Sequence, residues 1–554
     1  MATPRSTLTR TMLASVLALY GCSKASSDQA SIGPIGGGES LASQVAALLD
    51  AKCASCHGEQ GSGGVSNISD LGNLITMGYV VPGDPKRSPL FQAVKKGSMP
   101  PSGKLSDGDV NRIEKWIDTG ATEKAVEENR TFVNEADVMR MCAEDLLGNF
   151  KEGERKDVRY FSLVHLYNAG TARPTIDQAA QGLSKLMNSL SRQKGIEKVD
   201  AINPDKTLFR IKLGNYGWDA ARWEELVKSY PYLIVPKDDT ALGALQTDTG
   251  SGVPVLRGDW FLAHGSRAPL YYALLDMPSK QADLESQLGI NFLSNITGGS
   301  VMRAGFDNSG VSKNHRVIER HETSDGVLWR SYEFGGTLET QDVFSRPLGP
   351  TMPKDDDDDG GIFGDLGSSS AKDPFGGERG FTPDGGEFIF SLPNGMLAFF
   401  VVGKDMSRLS AAPTEEGEDP IIPGMSCMGC HSRGFIEKDD QVRERVGSDS
   451  QVEALYPKPA TFNKQLNSDS GKYAAALADA GVDAKSKDPV FRFGSAYMLR
   501  VPLAQAAAEL GVTSSELRDA LGEDLSDVND LFEDDSIDRE QFKANFPKMV
   551  EALH

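Results

Sequence analysis

Residues 52–57 read KCASCH and residues 426–431 read SCMGCH. In each string two cysteines stand three positions apart and a histidine follows the second directly. Two thiols at that spacing can add across the vinyl groups of one haem, while the adjoining histidine swings beneath the iron as its proximal ligand. Cys53, Cys56 and His57 make the first set, and Cys427, Cys430 and His431 the second. The other two cysteines, Cys22 and Cys142, stand alone, so no further Cys-x-x-Cys pair points to a zinc site or a thiol redox centre. The chain is therefore expected to carry two covalently bound haem c groups. Cys142 reads as a small buried apolar residue.

Around the first string a compact unit can be traced outward. Leu41, Val45, Leu48 and Leu49 recur at helical spacing and lead into Cys53. Ser106, with Asp109 three residues on, signals the start of a second helix whose apolar face is Val110, Ile113, Trp116 and Ile117 and whose end is marked by Gly120. Between them GSMPP, residues 97–101, sets Met99 in a proline-stiffened turn, where its thioether is the expected second axial ligand. That soft donor favours ferrous iron and raises the potential. The strings KCASCH, PGDPKRSPLF, GSMPPSGKLSDGDV and EKWIDTGA resemble the small monodomain cytochrome c family, and more closely the planctomycete-type cytochrome domain, over residues 45–121. A small all-α cytochrome c domain over residues 40–124 is the expectation.

The second string has different surroundings. No Met-Pro-Pro turn follows it, so its distal ligand must come from elsewhere. The candidates are His321, His264, His315, Met425 and Met406. His321 is preferred because residues 317–321 read as a strand in which Val317, Glu319 and His321 share one face. Met425 is too close to Cys427 in the chain to reach the far side of the haem, and His165 reads as a core histidine. The segments RYFSLVHLYNAG, SGVSKNHRVIERHE, GGEFIFSLPNGMLAFFVV and PGMSCMGCHSRGFI resemble a family of large bacterial cytochrome-domain proteins of undefined role, over most of residues 155–440. That resemblance implies a two-haem architecture and adds no substrate.

A chain of 554 residues exceeds what one core ordinarily organises, so several domains are expected. Residues 125–300 alternate helical and extended patterns, with helices over 175–190 and 219–229 and a strand over 207–213, and read as mixed α/β. Residues 301–440 shift to period two. There 327–334 follow a Ser324-Asp325-Gly326 turn, and 388–392 face 396–402 across Asn394-Gly395, predicting antiparallel hairpins that hold the second haem. Residues 441–554 read as a helical, acidic segment. Asp355 to Asp359, followed by two glycines, reads as a solvated loop, with calcium binding as the weaker alternative.

The chain's start and charge bear on location and partners. Arg5 and Arg10, a short apolar run and Leu19-Tyr20-Gly21-Cys22 read as an export signal over residues 1–21, the last four residues resembling a bacterial lipobox. Cys22 would then be acylated and anchor the chain to a membrane, with residues 22–39 as tether and the outer membrane as destination, since Ser23 and not Asp follows. Cleavage without acylation is the alternative. A net charge of -21 argues against nucleic acid and favours a basic redox partner. The helical rhythm of residues 502–521 is accordingly read as packing and not as a DNA reader. Electron relay between redox partners is the expected function. A dihaem peroxidase with an open site at the second haem, or a surface binding module with a haem domain, are the alternatives.

Overall fold

The computed structural model describes residues 41–553 apart from 58–67, 70, 77, 102, 120, 122–129, 172, 238–239, 309–313, 335–341, 351–380, 382, 413–419, 447, 483–487, 522–527, 529–530 and 532–535. The expected export signal, Cys22, the tether, Gly120 and the Asp355 to Asp359 run lie outside the described residues, as does the side chain of Cys56.

The N-terminal helical unit has a core of its own. Helix Leu41–His57 packs on helix Asp107–Asp118, and Val45, Leu49, Phe91, Ile113, Trp116 and Ile117 are buried between them. Ser106 caps the second helix as its sequence predicts, its hydroxyl accepting from the Asp109 amide at 3.2 Å. The third helix of the unit, Pro89–Lys96, ends on Gly97 at φ 70°, a left-handed cap that glycine takes without penalty, and this turn leads straight into Met99.

Two sheets organise the rest. The first is mixed: β1 (Val158–Ser162), β2 (Asp200–Ala201), β3 (Leu208–Lys212) and β4 (Val255–Arg257) lie in the order β2-β3-β1-β4, with β1 and β4 parallel. Helices Glu135–Asn149 and Thr240–Thr249 cover one face, and there Cys142 is buried, as expected, its thiol pushed up by burial. The second sheet is an antiparallel meander of β5 (Met302–Phe306), β6 (Arg316–Thr323), β7 (Gly326–Phe334), β8 (Pro383–Ser391) and β9 (Leu397–Gly403) in chain order. Both predicted hairpins are present: β6 and β7 meet as Thr323 opposite Gly326, and β8 and β9 as Ser391 opposite Leu397. Among its described residues the C-terminal segment has mainly helices, with a short ribbon of β10 (Val501–Pro502) and β11 (Ser536–Ile537).

One hydrophobic core runs from Phe161 through Leu262, Phe400, Met428 and Tyr473 to Met549. The regions drawn at 125–300, 301–440 and 441–554 thus share a core. Helix Pro489–Tyr497 shows how they interlock: it packs on helices Arg173–Ser189, Gly258–His264 and Met425–Cys430 together. Asp488, its N-cap, is ion-paired with the buried Lys185, whose amine burial holds down to about 7.

Candidate haem sites

The second motif occupies a short helix, Met425–Cys430, entered through Gly424 at φ 87°. Only glycine suits this position, because a Cβ there would come within 2.4 Å of the Ser266 carbonyl oxygen and 3.0 Å of the Tyr271 ring. One helical turn brings Cys427, half-buried, and Cys430, exposed, to neighbouring positions. Burial pushes the Cys427 thiol up to about 12 and raises Cys430 as well, so both remain protonated in the haem-free chain.

His431 ends the helix and is fixed from both sides. Its Nδ1 pairs with the Gly434 carbonyl oxygen at 3.1 Å, and Gly434 donates its own amide back to the His431 carbonyl at 3.0 Å. Nδ1 is then the protonated nitrogen and Nε2 carries the lone pair. Burial holds the imidazole below its usual range, so it stays neutral and able to ligate a metal. Its ring lies 6.1 Å from that of Phe399 on β9, at 33°.

Phe399 identifies which face of the second sheet the motif addresses. Phe399 pairs with Ile389, and Ile389 with Trp329, which pairs with Arg320; residues directly opposite in an antiparallel sheet share a face. Glu387, Val401 and Ser331 lie on the same face, and Glu387 acts electrostatically on Cys427, Cys430 and His431 alike. Glu387 accepts from Arg316 Nη1 at 2.6 Å and from the Ser331 hydroxyl at 3.2 Å, while Ile389 beside it is only half-buried. An imidazole with a free Nε2, two adjacent thiols and a partly uncovered apolar face are what a covalently attached haem requires, and the residues present fit it.

His321 does not belong to this site. It lies in the other row, opposite Leu328, then Phe390 and Ala398, so it projects from the opposite face of the sheet. Both ring nitrogens are engaged there: Nε2 with Glu319 Oε1 at 2.7 Å and Nδ1 with Asn295 Nδ2 at 3.2 Å. Glu319 also takes Arg303 Nε at 2.6 Å and the Tyr332 hydroxyl at 2.7 Å, all fully buried. The expectation that His321 turns inward with Val317 and Glu319 holds, but what it meets is a carboxylate. The expected ligand role is corrected on that ground.

The other distal candidates make contacts of their own. His264 Nδ1 pairs with the Trp260 carbonyl at 3.0 Å and its ring stacks on Trp260. His315 Nδ1 accepts from the Val343 amide at 3.1 Å, Met425 Sδ lies 3.0 Å from Arg267 Nη2, and Met406 Sδ lies 4.0 Å from Arg330 Nη2. His165 is buried, as read, beside Asp259 at 3.0 Å.

In the N-terminal unit Cys53 is buried on helix Leu41–His57, and His57 is that helix's last residue. Met99 stands in the turn after helix Pro89–Lys96, its amide donating to the Ala93 carbonyl at 3.3 Å. A thioether as apolar as this one left 39% exposed is available to a group placed against it. Among the described residues, no cluster of His, Cys, Asp and Glu could hold a metal ion unaided, and no helix is long and apolar enough to cross a membrane.

This helical unit, with its motif, histidine and projecting methionine, defines the class: a c-type cytochrome domain. A family model described as cytochrome C oxidase, cbb3-type, subunit III matches residues 40–117, which supports covalently bound haem c and a haem-based role in electron transfer. No curated protein and no solved structure matches the chain.

Proposed function

We propose that the chain is an exported dihaem c-type cytochrome that relays single electrons. Cys53, Cys56, His57 and Met99 hold one haem, and Cys427, Cys430 and His431 hold the other. Bound haem iron supplies one-electron redox chemistry. The observation that carries the second site is the His431–Gly434 pairing, which engages Nδ1 and leaves Nε2 as the basic nitrogen of the residue that follows Cys430. Anchoring through Cys22, delivery to the outer membrane and docking with a basic partner are part of the same reading and rest on the sequence.

Haem counting tests it. Native protein should carry two haems by mass and by alkaline pyridine spectrum, and the double variant Cys427→Ser/Cys430→Ser should carry one. A single haem in the native chain overturns the dihaem reading.

A second reading is favoured by one observation: His321 has both ring nitrogens engaged, and His315 Nδ1, Met425 Sδ and Met406 Sδ each have a partner elsewhere. An open sixth position there would suit a peroxidase-like oxidoreductase. Carbon monoxide binding to the reduced protein separates the two, with no uptake for a relay and one equivalent for an open site.

A further inference from the structure

Helix Pro489–Tyr497 and the residues just past it reach the second haem motif at one end and the N-terminal unit at the other. At its start, the Phe491 ring lies against Gly429, the second of the two residues between the cysteines of the second motif. The approach is so close that a Cβ on Gly429 would fall 2.7–3.1 Å from ring atoms. One turn further, a Cβ on Gly494 would lie 3.2 Å from Met425 Sδ, at the start of the motif's helix. Beyond the C-terminal end, Leu499 and Arg500 meet Gly83 of the N-terminal unit, whose Cβ would lie 3.4 Å from Leu499 Cβ and 3.5 Å from the Arg500 carbonyl oxygen. Gly83 donates its amide to the Ile117 carbonyl at 2.7 Å, and the helix bearing Ile117 packs on the helix that ends in His57.

The connection is short and rigid. Nine helical residues span about 13 Å at 1.5 Å per residue. Asp488 pins the first turn to Lys185, Arg267 Nη2 holds the Gly494 carbonyl at 3.1 Å, and Arg539 Nε holds the Tyr497 carbonyl at 3.1 Å. Gly429 and Gly494 let ring and backbone close to a contact that a side chain would push apart, and Gly83 takes a positive φ of 75° where it meets Leu499.

We infer that this helix is the electronic bridge between the two haem sites, an inference that rests on the dihaem reading above. With haem held at both sites, one electron would pass from ferrous iron at one to ferric iron at the other. No bond forms or breaks, and no proton moves. The packed contacts Gly429–Phe491 and Leu499–Gly83 are the two junctions of the route, and the helix backbone carries the span between them.

The test uses the full chain with both haems counted. A photoexcited ruthenium dye in solution injects one electron, and its redistribution between the haems is followed from their separate absorbance changes. Phe491→Ala should slow redistribution several-fold with both haems and both potentials retained, and Phe491→Leu, which keeps part of the contact, should fall between. Leu499→Gly, which removes the Cβ that meets Gly83, should slow it as well, from the other end of the bridge. Native-rate redistribution in both Phe491→Ala and Leu499→Gly, with two haems bound, overturns the bridge and leaves the dihaem reading standing. A native chain with one haem removes the dihaem reading and the bridge together.

Discussion

His321 and His431 lie on opposite faces of one five-stranded sheet. The sheet itself therefore separates the favoured sequence candidate from the motif it was expected to serve. His321 instead completes a buried set with Glu319, Arg303 and Tyr332. His321→Ala should leave the ligand-field spectrum of the second haem unchanged. It should destabilise the fold by about 3 kcal/mol, because a buried carboxylate loses a partner. Paramagnetic resonance of the oxidised protein and urea titration read the two effects separately. A changed haem signal with an unchanged urea midpoint would restore His321 as a ligand.

Met99 invites a ligand exchange. Met99→His should keep the first haem six-coordinate while lowering its midpoint potential by on the order of 0.1 V or more, since imidazole favours ferric iron relative to a thioether. Spectroelectrochemical titration would show one of two waves displaced. Two unmoved waves would mean that Met99 is not the ligand.

Gly424 sets the angle at which the second motif enters. Gly424→Ala meets both a positive φ and a backbone oxygen 2.4 Å from the new methyl, so a loss of about 2 kcal/mol or more is expected. Haem attachment at Cys427 and Cys430 should fall in parallel, as counted by mass. Full attachment in a variant of native stability would show the helix entry to be adaptable.

His264 gives an acid signature. Burial, its largest influence, holds this imidazole down to about 4 against about 6.5 in an unfolded chain. A depressed histidine binds its proton more readily when unfolded. Its contribution to stability is thus complete above about pH 6.5 and is lost as pH falls towards 4. His264→Phe, which keeps a ring over Trp260, should flatten the decline of the urea midpoint between about pH 6.5 and about pH 5. An unaltered decline would place the acid-sensitive group elsewhere.

Features settled by neighbouring residues were legible in the chain. Ser324-Asp325-Gly326 and Asn394-Gly395 announce their hairpins because turn geometry needs those residue types, and Ser106 announces its cap for the same reason. The inward turn of Val317, Glu319 and His321 follows from strand alternation alone. Which face of the sheet receives the second motif does not, since it is decided by Phe399 meeting His431 and by Ser470 bonding the Phe435 amide, between elements far apart in the chain. Gly434 stands three residues past His431, but its carbonyl's role in orienting His431 depends on a backbone at φ 104° that no local pattern discloses. The divisions near residues 300 and 440 follow changes of period, and a shared core erases them because it is built from side chains that period alone does not pair.

The continuity of that core, set beside the separate core of the N-terminal unit, determines how the protein comes apart on heating. Side chains from Phe161 to Met549 must lose their packing together, so the body they share should melt cooperatively, while the unit built on Trp116 can melt on its own. A calorimetric trace would then resolve two endotherms of very unequal size, and a haem held at Cys427 and Cys430 would report the larger of them.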